Sequence, residues 1–249
     1  MIEVKQLTQT YKSGKGVFDL DFSIKKGEVF GFLGPNGAGK TTTIRNILGY
    51  ANTDKGSASI NGLDCRKDAA ELQKIVGYLP GEIAFFDHMK GMEFLKFVGD
   101  MHSITDNLLR DQLIEQFELD ASGGIRKMSK GMKQKLLIIT ALIHNPRIII
   151  LDEPLNGLDA NSVMVFKEIL TKLAKAGRTI FYSSHLMDVV EKISDRIILI
   201  SDGVKIADGT FSDLKEQSEK GSLETIFNEL TGFSEHEELA DKIIKLLED

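Results

Sequence analysis

One cysteine, four prolines and no tryptophan occur in 249 residues. The single thiol, Cys65, excludes an intramolecular disulfide framework and suits a reducing cytosol. No Cys/His cluster stands at zinc spacing. The longest apolar runs fall far short of the ~18–20 residues that a membrane span needs. The first residues, "MIEVKQLTQTY", alternate like a strand and hold no apolar h-region, which argues against a secretory signal. Internal repeats, low-complexity tracts and sustained heptads are also missing.

What is present is ordinary in bulk and uneven in detail. Hydrophobic residues make up 42% and charged residues 27%, usual for a soluble globular chain. The net charge of −6 sits at one end. Over residues 210–249, acidic side chains outnumber basic ones 11 to 4, so the other 209 residues carry about +1. Neither part has the strongly basic footprint of a sequence-reading DNA binder, and no nucleic-acid partner is expected.

The patterning predicts an α/β chain. "VFDLDFSI" (17–24) puts Phe18, Leu20, Phe22 and Ile24 on one face of a half-buried strand. "EVFGFLG" (28–34) is a short apolar strand ending in glycine, and "TTTIRNILGY" (41–50) reads as a helix stopped at Gly49. "RIIIL" (147–151) and "RTIFYSS" (178–184) are continuous apolar runs, the mark of strands buried on both faces of a parallel sheet. "DRIILISDGVKIADG" (195–209) is a hairpin around Ser201, Asp202 and Gly203. From about 90 to 144 the repeats are helical, as in "MEFLKFVGDM" and "NLLRDQLIEQFEL". A helical subdomain at about 84–145 therefore interrupts a core of 1–83 and 146–209. The acidic stretch 210–249 is expected to be a helical extension.

The strongest chemical signal is "GFLGPNGAGKTTT". Gly34, Gly39, Lys40 and Thr41 satisfy G-x-x-x-x-G-K-[ST] between a strand and a helix. Such a loop wraps polyphosphate in backbone N–H groups, here from Asn36, Gly37, Ala38 and Thr42 as well. Lys40 brings a point charge to the β- and γ-phosphates, and the Thr41 hydroxyl suits Mg²⁺. Guanine-specific enzymes usually carry N-K-x-D, which is absent. A second signal is "IIILDEPLNGLD" (148–159), where a buried strand delivers two carboxylates to the ligand-binding edge of the sheet. Asp152 is the expected Mg²⁺ partner, and Glu153 the general base or water-orienter at the γ-phosphate. A third is "KMSKGMKQKL" (127–136), four lysines and one glycine opening an apolar helix.

These motifs, in this order over roughly residues 1–210, resemble the nucleotide-binding subunit of ABC transporters. The resemblance implies a P-loop NTPase (RecA-like) core, an N-terminal antiparallel β-subdomain and an inserted α-helical subdomain. It implies that Tyr11 stacks on adenine and that 128–132 stands for the L-S-G-G-Q signature. Asp159 then closes the D-loop, and His185 is the switch histidine. Two chains, copies or paralogues, would meet head to tail around two ATP–Mg²⁺, with Ser129 and Gly131 reaching the partner's nucleotide. A separate membrane permease would be driven from the cytoplasmic face. "YLPGE" and "SKGMKQK" resemble exporter subunits linked to drug or antimicrobial-peptide resistance.

The chain departs from the family in three places. Gly81 takes the position of the usual Q-loop glutamine, and the Glu82 carboxylate is the expected substitute. Lys130 and Met132 replace a glycine and the glutamine of the signature, and Lys130 and Lys133 would add positive charge near the partner's γ-phosphate. Leu155 stands where many relatives have a small or hydroxylic residue. Two other readings are an ABC-type ATPase acting on ribosomes or DNA, and a subunit that binds ATP without turnover. The first usually needs two cassettes or a coiled-coil insertion, and Glu153 and His185 argue against the second.

Overall fold

The structure is a computed structural model that describes residues 2–81, 88–216, 222–231, 244, 246 and 247, without the side chains of 188–190. In chain order the elements are β1 (Ile2–Thr10), β2 (Gly16–Ile24), β3 (Val29–Leu33), α1 (Lys40–Ile47), β4 (Lys55–Ile60) and β5 (Leu63–Asp64). There follow α2 (Ala69–Ile75), β6 (Val76–Leu79), α3 (Gly91–Met101), α4 (Leu108–Gln116), a 3₁₀ turn (Ile125–Lys127) and α5 (Lys130–Leu142). The remainder is β7 (Ile148–Asp152), α6 (Ala160–Lys175), β8 (Thr179–Ser184), α7 (Met187–Ile193), β9 (Arg196–Ser201), β10 (Val204–Gly209), α8 (Phe211–Glu216) and α9 (Leu223–Thr231).

Two sheets result. An antiparallel sheet has the order β2-β1-β4-β5. A six-stranded sheet has the order β10-β9-β3-β8-β7-β6, parallel except for the β9–β10 hairpin. Every residue of β3, β7 and β8 is buried, as continuous apolar runs require when both faces are covered. Their alternation divides them between two cores. Ile149 and Leu151 join α5 and α6, while Ile148 and Ile150 join α1 and the antiparallel sheet. Phe22 from β2 meets Phe30, Phe32 and Phe181 at ring distances of 5.5–6.5 Å, an aromatic joint between the sheets.

The expected face of β2 is partly wrong. Leu20, Phe22 and Ile24 are buried, but Val17 turns inward in place of Phe18. The cause is a bulge: the β1–β2 register shifts on both sides of Leu7, and Gln6 and Asp19 both adopt φ 49°. Thr8 Oγ1 accepts from the Asp19 N–H at 3.0 Å, which holds the extra residue. The β9–β10 turn is a tight one, with Asp202 and Gly203 at φ 46° and 79°. Its Gly203 accepts from Phe18 N at 2.8 Å and donates to Ala38 O at 3.0 Å.

Helices α3, α4 and α5 fill the stretch read as helical, with one isolated bridge between Lys90 and Gly124. None of the α4 side chains is fully buried; Leu109 and Leu113 instead line a groove against α6. At the far end of α5, the His144 ring stacks on His102 at 3.9 Å, with 7° between planes. His144 Nε2 donates to Val76 O at 3.2 Å. Half of the acidic end, including 217–221 and 232–243, lies outside the described residues.

Candidate nucleotide site

The loop 34–39 leaves the centre of the sheet at β3 and turns into α1. A Cβ on Gly34 would fall 2.2 Å from Ile200 O, so the chain passes there only without a side chain. Gly39, the N-cap of α1, has φ 106° and no side chain to cap the helix. The first N–H groups of α1 therefore keep their donors for a ligand. Ala38 is buried beneath the loop. Lys40 is 5% exposed, and its Nζ donates to Gly34 O at 2.6 Å and Pro35 O at 3.0 Å.

Asp152, at the end of β7, is 1% exposed. Both its oxygens are paired: Thr41 Oγ1 donates to one at 2.7 Å and Ser183 Oγ to the other at 2.6 Å. Buried carboxylates demand such partners. The next residue, Glu153, leaves the strand at φ 48°. Its N–H is shared by Ser183 O and Oγ, each at 3.2 Å. Its carboxylate lies between Lys40 Nζ at 3.2 Å and His185 Nδ1 at 2.8 Å. An ionised carboxylate only accepts, so Nδ1 carries the proton in this pairing. Either Ser183 or Ser184 could cap the helix after β8; Ser184 accepts from Leu186 N at 2.9 Å, and Ser183 serves Asp152.

These groups open onto a cleft of about 770 Å³. Tyr11, Asn36, Gly37, Gly39, Lys40, Thr41, Thr42, Asp152 and Glu153 line it. Tyr11 is 41% exposed and its hydroxyl is 3.4 Å from Thr42 Oγ1. Gly34 touches the site through its carbonyl and His185 through Glu153. Ser13, Lys15, Arg45, Tyr78 and Asn156 also line the cleft, and motif reading missed them. Only Arg45 was within reach of pattern, lying one helical turn beyond Thr41 on the same face. Burial, with the Asp152 charge second, pushes the Tyr78 phenol well above its ordinary pKa and keeps it neutral.

The hydroxyl of Thr41 and the carboxylate of Asp152 form a hard oxygen pair of the kind Mg²⁺ selects. Gly81 lies against that pair: a Cβ there would be 3.2 Å from Asp152 O and 3.4 Å from its Oδ2. A side chain at this position would require the neighbouring atoms to give by a few tenths of an ångström. Glu82, its expected substitute, lies outside the described residues. Leu155 is 6% exposed and belongs to the core.

Ser129, Gly131 and Asp159 do not line this cleft. Ser129 caps α5, accepting from Met132 N at 3.2 Å. Asp159 caps α6, accepting from Ser162 N at 3.0 Å, and this bond holds its carboxyl below the usual range. Met128 is buried, its Cε 2.6 Å from where Gly91 would carry a Cβ.

The ABC transporter family model matches residues 17–156. The linearmycin resistance ATP-binding protein LnrL of Bacillus subtilis (strain 168) is 37% identical over 219 residues, covering 86% of this chain and 70% of that one. The bacitracin transport ATP-binding protein BcrA of Bacillus licheniformis is 34% identical, covering 88% and 73%. A solved ATP-binding subunit of an ABC transporter superposes with a TM-score of 0.85 at 28% identity, over 93% of this chain and 99% of its own. A glycine loop, a buried Asp152 and an adjoining Glu153 on this fold agree with those likenesses: the chain belongs to the ABC transporter family, as an ATP-binding domain and an ATPase.

Proposed function

We propose that two such chains close head to tail on two ATP and drive a separate membrane permease, as an exporter. The observation that carries this reading is the convergence of Lys40, Glu153 and His185 beside an uncapped helix start, while Ser129 and Gly131 stand off that cleft. Thr41 and Asp152 would hold Mg²⁺, which when bound offsets phosphate charge and polarises the γ-phosphoryl group. Tyr11 would stack on the base, and 34–42 would wrap the phosphates. Glu153 takes the proton of the attacking water as its oxygen bonds to the γ-phosphorus and the bond to ADP breaks. His185 holds the Glu153 carboxylate while it does so. Lys40 leaves its present partner Glu153 for the γ-phosphate.

Ser129 and Gly131 would complete the partner's site, with Asp159 at the seam. ATP touches both halves and favours closure; ADP lacks the γ-phosphate and loses that preference. The ATPase unit is 1–209, with 84–145 as its helical part and 210–249 as an extension. No described helix is long and apolar enough to cross a membrane. Met92, Phe97 and Met101, exposed on α3, support a permease-facing surface on the cytoplasmic side. The linearmycin- and bacitracin-linked relatives support export.

Glu153→Gln tests this. It should retain ATP and accumulate as a dimer with ATP–Mg²⁺ in size-exclusion chromatography. A variant that stays monomeric, alone and beside its permease, sinks the sandwich.

A further inference from the structure

β6 runs parallel to β7, with Tyr78 opposite Ile150 and Leu79 opposite Leu151. Side chains two residues apart share a face, so Tyr78, Ile150 and Asp152 all point to one side of the sheet. That side is the one α1 covers. The Tyr78 ring packs on the core that holds Ile44, Ile47 and Ile150, and Thr41 of the same helix bonds Asp152 at 2.7 Å. Tyr50 flanks the ring at 6.0 Å, with 60° between planes. Tyr78 is nonetheless only half-buried, and it lines the nucleotide cleft beside Arg45, Pro80 and Gly81. Arg45 is a cation, and Pro80 and Gly81 bring no polar side chain. Among the described residues, the Tyr78 hydroxyl is thus the neutral polar group on the side of Asp152 that Gly81 leaves bare. No described group holds that hydroxyl by a hydrogen bond.

We propose that Tyr78 is a positioning residue for the water shell of Mg²⁺ bound beside Asp152. The inference rests on Thr41 and Asp152 holding that ion, as read above. Mg²⁺ sheds water reluctantly and keeps several waters beside one or two protein oxygens. A water on a cation turns its protons outward and needs acceptors around it. Both Asp152 oxygens are already paired, with Thr41 and Ser183. The Arg45 guanidinium only donates. The Tyr78 hydroxyl can accept from such a water and still donate its own proton to a second partner. A phenol is neutral near pH 7, so it orients a water without replacing it on the ion. The packing of the ring between Tyr50 and the core sets where the phenol oxygen stands. Groups that hold a metal's ligands from behind govern much of its affinity and placement. This role falls to β6 and needs no side chain from Gly81 or Glu82.

The test compares Tyr78→Phe with wild type, using the full chain. Phenylalanine keeps the ring and removes the hydroxyl, so the Tm without ligand should stay within about 2 °C. ATP affinity in EDTA, from titration calorimetry, should stay within about twofold. The Mg²⁺ concentration that gives half of the ATP-dependent rise in Tm should increase about tenfold, and kcat should fall about tenfold. Glu82→Ala should leave that Mg²⁺ half-point within about twofold. An unchanged half-point in Tyr78→Phe overturns the proposal. So does an equal loss of ATP affinity in EDTA, which would make Tyr78 a wall of the cleft and nothing more. A shift as large in Glu82→Ala would give the role to Glu82 and overturn it too. Thr41→Val separates the layers of the reading. If its Mg²⁺ half-point stays within about twofold of wild type, the metal assignment falls and the role of Tyr78 with it. If Thr41→Val shifts the half-point and Tyr78→Phe does not, only the role of Tyr78 falls.

Discussion

Helices α1 and α5 begin alike in sequence and differently in structure. Both open on glycine, lysine and hydroxyl residues. The start of α1 has no side-chain cap, and its Lys40 is buried on two carbonyls and a carboxylate. The start of α5 is capped by its own Ser129, and Lys130 lies exposed. An uncapped helix start is unstable until a ligand supplies acceptors. A self-capped start has one of its free donors already satisfied, and a ligand there would compete with that cap. In the proposed dimer the first would be a complete site within one chain, and the second half of a site shared with the partner.

The comparison breaks most sharply at Lys40. Lys40→Ala should weaken ATP binding by the isolated chain at least about a hundredfold in titration calorimetry. An affinity within about threefold of wild type would mean that α1 is not the complete site. A smaller effect is expected at Ser129. Ser129→Ala should leave the monomer's own ATP affinity in place, cost about 1 kcal/mol of stability through the lost cap, and weaken ATP-driven dimerisation of Glu153→Gln about tenfold. Equal loss of monomer affinity would erase the distinction between the two helix starts.

The smallest effect lies at the other end of α5. Burial, with the charge of His102 second, brings the His144 pKa down to about 4. Burial moves His102 the same way. The unfolded chain, with histidine near about 6.5, then binds the extra protons first. The stability tied to this pair is whole above about pH 6.5 and is lost as pH falls toward about 4. Between pH 7 and pH 5 the Tm of wild type should drop about 3 °C more than that of His144→Gln. Parallel melting curves would remove the pair from the account of α5.

The same contrast separates what the sequence announces from what it conceals. Local periodicity announces the buried strands around Ile149 and Phe181, the Asp202–Gly203 hairpin and the loop at Lys40, because each depends on neighbours a few residues away. The inward turn of Val17 is concealed, since a single left-handed residue, Asp19, reverses the alternation. "KGSASI" (55–60) shows little apolar pattern and becomes a strand through pairing with β1. The acids Asp152 and Glu153 are plain in the chain, but their partners Thr41, Ser183 and His185 come from other elements. Gln134 reads as one polar residue in a helix, and its bond to Pro154 depends on a fold that brings α5 under β7's outgoing loop. Gly81 reads as a missing ligand; packing shows it lying against Asp152.

The Asp202–Gly203 turn carries a lesson for protein engineering. A short two-residue hairpin turn is the customary place to insert a tag, a reporter or a circular-permutation break. Here both hydrogen-bonding groups of the Gly203 backbone are committed, one to β2 at Phe18 and the other to the phosphate loop at Ala38. An insertion at that turn would release the phosphate loop from the antiparallel sheet, so a fusion belongs elsewhere on the chain.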